Sequence, residues 1–356
     1  MSQANKIEVT LLPDEVSNGI IIAWPDVYKD KSYWRNILET YHQLIHQCLA
    51  NNKYIIIVTK ENVDIDKDLS DINKNLSMLI GNKEKYLYLY CLEYDDIWLR
   101  DHGPMMLIDS NGNINFNLAK FNGYGEKYTN KKDKVFASKF IEKYWNHLKC
   151  CQKNPLKIFK DLVIEPGNII FNDNLCILNK SPLLKHNRYD WNIINSILKE
   201  AFENFLNKEY VIIDSGLLNG DDTNGHIDNL VRLEKDNKLY YMATTDQSHP
   251  DYDVLNDLER QLMNINLDDK YLIPIYHDFD DIVKNSENNI LPFSYLNYIR
   301  LGNIILMPIN MNTSDAKKLE IKNIFKHDNL IFIEAYGLLN EGGGLHCCSM
   351  NILHKQ

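Results

Sequence analysis

Much is missing from this chain, and each absence narrows what it can be. No apolar run approaches the ~20 residues that a membrane-spanning helix needs. The opening Met1-Ser2-Gln3-Ala4-Asn5-Lys6 has no apolar core of the kind a secretory signal carries. No Pro/Gly/Ser-rich linker and no shift in composition divides the 356 residues, so a single domain spanning 1–356 is expected. The seven cysteines are odd in number and scattered, apart from the neighbours Cys150-Cys151 and Cys347-Cys348. That pattern argues against a disulfide framework and for a reducing cytoplasm. Cys-x-x-Cys is absent, which removes the usual thiolate zinc sites, and no metal or other cofactor is expected. Positive charge is also short: 39 Lys and Arg against 49 Asp and Glu leave a net charge of −10. Such a balance disfavours a nucleic-acid surface and suits a cationic ligand.

What is present is an order of elements repeated five times: strand, amphipathic helix, strand. The units span roughly 19–58, 105–164, 175–213, 239–275 and 304–334. Helices are predicted within 33–50, 134–147, 190–206, 253–263 and 316–325 from apolar spacing such as Val135, Phe136, Phe140 and Tyr144. Strands are predicted from short β-branched or aromatic runs such as Tyr54-Ile55-Ile56-Ile57-Val58. The second unit is read as a strand at 105–108 and another at 162–164, and an extra strand is expected at 86–90. An unusual polar segment follows the last strand of each unit. If the units stand around an axis, their equivalent ends converge and the five segments face one central pocket.

The last of these segments, Glu341-Gly342-Gly343-Gly344-Leu345-His346-Cys347-Cys348, presents a thiol on a glycine hinge. Cysteine attacks as the thiolate, so Cys347 needs charge partners from elsewhere in the chain. His226 and Asp228 are two residues apart, and in an extended segment both would point to one face. Asp101, Asp96 and Glu165 add negative charge. Paired carboxylates grip a planar guanidinium by forked hydrogen bonds and leave its central carbon open to attack from above the plane. Singly, each residue also has a structural reading: Asp101 as a surface turn paired with Arg100, His226 as a buried structural histidine, His346 as packing behind the cysteine. Cys348 is expected to point away as a small buried residue, His102 to support Asp101 from behind, and Asp95 and Asp221 to be solvated.

Three segments together resemble the agmatine deiminase and bacterial peptidyl-arginine deiminase family. They are Asp96-Ile97-Trp98-Leu99-Arg100-Asp101-His102-Gly103-Pro104, Gly220-Asp221-Asp222-Thr223-Asn224-Gly225-His226-Ile227-Asp228-Asn229 and Gly343-Gly344-Leu345-His346-Cys347. Lesser matches are Ala23-Trp24-Pro25, Phe121-Asn122-Gly123-Tyr124-Gly125 and the stretch from Leu291-Pro292 to Asn297. The resemblance implies an α/β fold in the form of a five-bladed α/β-propeller, the pentein fold, with its active site in a central channel. It implies Cys347 as a nucleophile that forms an amidino-thioether, and His226 as the acid for departing ammonia and then the base for water. Asp101 and Asp228 would clamp the guanidinium, and Glu165 stands where the family has a catalytic-site glutamate. Asp96, Trp98, Asn297 and Gly344 are placed against the substrate.

Three departures are visible, one of them His102 where a small residue is common in the best-known agmatine enzymes. Pro166 precedes Gly167 where the family commonly has two glycines after the glutamate, which puts the placement of Glu165 in question. Tyr124 stands where a tryptophan is usual. The expected activity is hydrolysis of a guanidino group to a ureido group, with agmatine giving N-carbamoylputrescine and ammonia. Arginine or peptidyl-arginine as substrate, and amidino transfer to an amine, are the alternatives within the same chemistry. A cysteine peptidase is disfavoured by the surplus of carboxylates, which would repel an acyl oxyanion. A non-catalytic binding shell would be expected to lack Cys347 or His226. The partners expected are a small cationic guanidino substrate and a second copy in a homodimer, with no nucleic acid and no membrane.

Overall fold

The run of isoleucines at 55–57 forms strand Tyr54–Thr59, whose first five residues are all buried. A strand covered on both faces has no need of alternation and reads as continuous apolar sequence. The same holds for the neighbouring strand Gly19–Ala23. The computed structural model describes residues 9–148, 155–265 and 271–355, so the neighbours Cys150-Cys151 and the segment Met1 to Lys6 lie outside the described residues. Among the described residues the strands form five small sheets, four of three strands and one of four. They make up a five-bladed α/β propeller.

Four sheets share one plan. A central strand runs through a helical connection to a parallel neighbour, as parallel pairing requires. Gly19–Ala23 leads through helix Trp34–Ala50 to Tyr54–Thr59, and Leu175–Asn179 pairs with Glu209–Ile213. Lys238–Ala243 leads through helix Tyr252–Met263 to Tyr271–Tyr276, and Ile304–Ile309 through helix Asp315–Ile324 to Asn329–Glu334. Each central strand also takes a short antiparallel partner on its other edge: Ser349–Ile352, Ile170–Phe171, Val231–Leu233 and Ile299–Leu301 respectively. The C-terminal strand thereby closes the blade begun at Gly19, and Leu87–Cys91 adds the fourth strand there.

The second blade departs from the expected order. Met105–Asp109 pairs antiparallel with both Val9–Leu11 and Ile114–Asn117, and the strand expected at 162–164 is only a single bridge between Lys120 and Val163. The edge is irregular because a side chain replaces part of the ladder: Asn117 Oδ1 accepts the Ile158 N–H at 2.8 Å. Strand Ile114–Asn117 was hidden by its two asparagines, residues that strands usually avoid. The third blade differs as well. Its helix at 190–206 is α-helical over Trp191–Lys199 and π-helical over Glu200–Leu206. A further helix, Lys180–His186, precedes it. Pro182 falls in that helix's first turn, where its missing N–H costs nothing. No helix among the described residues is long and apolar enough to cross a membrane.

The five polar segments occupy equivalent places. Each runs into an antiparallel-paired strand: helix Leu99–His102 into Met105–Asp109, the 3₁₀ turn Pro166–Asn168 into Ile170–Phe171, and the 3₁₀ turn Ile227–Asn229 into Val231–Leu233. Asn297 lies two residues before Ile299–Leu301, and Cys347 two before Ser349–Ile352.

Candidate active site

Arg100 ties the aspartate segment to the thiol segment. Its backbone N–H donates to the Cys347 carbonyl at 3.1 Å, its Nε to the His346 carbonyl at 3.3 Å, and its Nη2 to Asn351 Oδ1 at 2.8 Å. The guanidinium therefore faces backward into the molecule, and the paired surface turn considered for Arg100 and Asp101 does not form. Both residues are buried.

Cys347 is held from the front by Asn297. The Asn297 Oδ1 accepts the backbone N–H of His346 at 2.9 Å and of Cys347 at 3.3 Å, while its Nδ2 lies 3.1 Å from the thiol sulfur. Gly344 permits this approach, since a Cβ on it would stand 2.5 Å from Asn297 Oδ1. A Cβ on Gly343 would meet the Trp98 ring at the same distance. Asp228 Oδ2 is 3.7 Å from the sulfur and 2.7 Å from His346 Nδ1. Burial pushes His346 well below its ordinary range, with Arg100 and Arg232 adding to the effect, so the neutral ring donates to Asp228. Burial, then the charges of Asp228 and Asp101, push the Cys347 thiol well above its ordinary value, while the Gly344 backbone and the Asn297 amide pull the other way. Cys348 faces elsewhere, its sulfur 3.3 Å from the Leu345 carbonyl and its pKa pushed up to about 12 by burial.

His226 is delivered by a turn rather than the extended segment read from the sequence. It caps the 3₁₀ turn Ile227–Asn229, and its N–H donates to Thr223 Oγ1 at 3.1 Å. His226 Nδ1 is 3.5 Å from Asp101 Oδ1, and its Nε2 is 3.9 Å from Glu165 Oε2. Asp101 in turn accepts from the Tyr124 hydroxyl at 2.9 Å and from the Gly167 N–H at 3.2 Å. Burial, reinforced by Glu165, raises Asp101 to about 8 against those hydrogen bonds and Arg100. Burial raises Asp228 to about 6, opposed by His226 and Arg100 and reinforced by Asp101. Pro166 occupies the first position of the 3₁₀ turn that follows Glu165, where no N–H is needed.

Three polar atoms at this centre have no hydrogen-bond partner among the described residues: both ring nitrogens of His226 and Oδ1 of Asp228. A buried unmet polar atom costs about 1–3 kcal/mol, so the centre is built to receive a ligand that supplies donors. A cavity of about 250 Å³ leads to it, lined by Cys347, Asp101, Asp96, Trp98, Tyr124 and Tyr28, with Asp222 and Glu341 toward its mouth. Asp96 accepts the Tyr28 hydroxyl and the Ile97 N–H, and burial raises its pKa. Tyr128 bonds Asp222 at 2.6 Å, which places the polar loop after Lys127 at this mouth.

The structure thus brings Cys347, His226, Asp101, Asp228 and Glu165 into one cluster with Asn297 and Gly344, while Asp96 and Trp98 line the approach. His102 stays apart, packed on Phe121 and Phe136. Asp95 accepts the Lys132 N–H at 2.7 Å and Asp221 the Thr223 N–H at 2.9 Å, so both organise turns while remaining half-buried. Sequence reasoning noticed Tyr124 only as a departure and missed His186, whose Nδ1 lies 3.0 Å from both Glu165 oxygens. No periodicity marks His186, since it ends a helix that was not anticipated.

Comparison with known proteins follows the same line. The family model of the Porphyromonas-type peptidyl-arginine deiminases matches residues 12–352, and the chain belongs to that family. This places it among hydrolases that cleave C–N bonds of guanidino groups. The agmatine deiminase of Pseudomonas aeruginosa is 24% identical over 280 residues, covering 71% of this chain and 73% of its own. Among solved structures, a Cys-to-Ser variant of the C. jejuni agmatine deiminase with substrate bound superposes with a TM-score of 0.80 at 20% identity, covering 100% of this chain and 99% of that one. The agmatine deiminase of Enterococcus faecalis superposes with a TM-score of 0.77 at 16% identity, covering 98% and 96%.

Proposed function

We propose that this enzyme hydrolyses agmatine to N-carbamoylputrescine and ammonia through a covalent intermediate on Cys347. The observation that carries the reading is the thiol set 3.7 Å from a buried carboxylate whose other oxygen is unmet. A guanidinium between Asp228 and Asp101 satisfies that oxygen. It also cancels the negative field that opposes ionisation of the thiol, so the thiolate forms when the cation is in place and its proton passes to His226. The thiolate then adds to the guanidinium carbon, and one nitrogen leaves as ammonia with a proton supplied by His226. His226 next takes a proton from water as the oxygen adds to the same carbon. Collapse breaks the carbon–sulfur bond, releasing the ureido product and returning the thiolate. Glu165, beside His226, stabilises the imidazolium form in each half.

The cavity supports agmatine over arginine. Among the described residues, those lining it include Asp96, Asp101, Asp222 and Glu341 and no Lys or Arg. A terminal ammonium is attracted to that wall and an α-carboxylate is repelled. Lys127 and Lys31 sit at its edge, 3.6 Å from Asp222 and 3.7 Å from Glu341. Acid quenching during turnover, followed by peptide mass spectrometry, tests the mechanism. The Cys347 peptide is expected to gain the mass of agmatine less ammonia, and an adduct on another residue, or none during active turnover, would overturn it.

A further inference from the structure

Glu165 stands between two imidazoles. The reaction outlined above uses only one of them, His226. The other, His186, ends helix Lys180–His186 and is 4% exposed. Its Nδ1 is 3.0 Å from both Glu165 oxygens, and among the described residues no other side chain donates a hydrogen bond to that carboxylate. On its far side, His186 Nε2 lies 2.9 Å from Asn224 Nδ2. An amide NH₂ only donates, so Nε2 accepts and the ring proton sits on Nδ1, aimed at Glu165. Asn224 holds a left-handed backbone (φ 68°) two residues before His226. The loop that delivers His226 therefore also delivers the group that fixes the tautomer of His186. The contacts close a ring from Asn224 through His186 and Glu165 to His226 and back along the chain.

We propose that His186 is a positioning residue for guanidine hydrolysis, its Nδ1–H, set by Asn224, holding Glu165 as an oriented carboxylate against His226. The inference rests on the reading of the Cys347 site given above. The groups facing Glu165 are Asp101 from helix Leu99–His102, Tyr124, His226 and His186. Of these, Asp101 opposes a second negative charge, and Tyr124 already donates to Asp101. Only His186 is placed to compensate Glu165 when His226 is neutral. Without that N–H, no side chain among the described residues orients Glu165 toward His226 or offsets the Asp101 charge beside it, and a carboxylate left so stabilises less well the imidazolium that forms as His226 takes a proton.

The test compares His186→Leu with His186→Gln, which keeps an N–H donor, by measuring kcat and KM for agmatine from about pH 5.5 to about pH 9. His186→Leu is expected to lose about tenfold or more in kcat near neutral pH, with KM within about twofold and the acid limb of the kcat profile moved to higher pH. His186→Gln should restore most of kcat and the original limb. Equal losses in both variants with the limb unmoved, or a wild-type rate in His186→Leu, would overturn the proposal. If His186→Leu does not fold, Asn224→Asp serves, since it places an acceptor against Nε2 and is expected to move the same limb. An unmoved limb in that variant counts against the proposal. A readout independent of turnover is the ¹⁵N spectrum of histidine-labelled wild-type protein. His186 should carry its proton on Nδ1 with Nε2 bare, and the opposite tautomer or a doubly protonated ring would refute the arrangement. Absence of turnover in the wild type would instead defeat the functional reading, and the spectrum would still decide the contact.

Discussion

Asp228 faces two ways. One oxygen takes the His346 N–H at 2.7 Å and lies 3.7 Å from the Cys347 sulfur, while the other has no partner among the described residues. A carboxylate so close to a thiol suppresses the thiolate. Cys347→Ser should abolish turnover, because a hydroxyl in this field is far harder to ionise. Cys348→Ser should leave turnover within a few-fold, since its sulfur bonds the Leu345 carbonyl. Comparable losses in steady-state rates would show that the two thiols act together. The carboxylates also set a pH dependence. Asp101 titrates near 8 in the folded protein and Asp228 near 6, against about 4 in an unfolded chain. The native state thus holds protons that the unfolded chain has lost, and this contribution to stability fades as pH rises from about 4 through about 8. Thermal melts of Cys347→Ser should show it. Added agmatine should raise Tm more at about pH 8 than at about pH 5, because the ionised pair binds the cation. A ligand shift that shrinks with rising pH would contradict the assignment.

At the scale of elements, the site comes from equivalent turns that enter an antiparallel-paired strand of each blade. Close packing of those turns is unforgiving. A Cβ at Gly343 would stand 2.5 Å from the Trp98 ring, so Gly343→Ala should displace Trp98 and raise KM for agmatine about tenfold with the fold retained by circular dichroism. An unchanged KM would remove Trp98 from the substrate wall. Much of this scale was legible beforehand, because isoleucine-rich strands such as Tyr54–Thr59 and a glycine-hinged thiol announce themselves. Strand Ile114–Asn117 did not, since it carries two asparagines, one of which, Asn117, stands in for a ladder bond. The turn carrying Asp228 was misread as extended for a related reason. Two-residue spacing fits a strand and a 3₁₀ turn equally well, and the choice depends on Thr223 capping His226 from three residues back. His186 was illegible because its meaning lies wholly in tertiary contacts.

The whole molecule is closed by its ends. Strand Ser349–Ile352 completes the blade built on Gly19–Ala23, immediately after the Cys347 segment, so ring closure and presentation of the thiol are one event. Asn351 is the junction: its amide donates to Ser17 Oγ at 2.9 Å and the Arg300 carbonyl at 2.8 Å, and its oxygen accepts Arg100. Asn351→Leu leaves those buried groups unmet and should destabilise the protein by on the order of 3 kcal/mol in denaturant titrations. A change below about 0.5 kcal/mol would mean the ring does not depend on this junction.

At this scale the proposed choice of agmatine rests on the carboxylates that line the cavity. The most direct measurement is kcat/KM for agmatine, free arginine and an arginine-containing peptide, read as ureido product and ammonia in equal amounts. Agmatine should exceed both of the others by at least about a hundredfold, the discrimination expected when a charged end group meets a buried wall of like sign. A preference for arginine or the peptide, or no ureido product from any of the three, would contradict it.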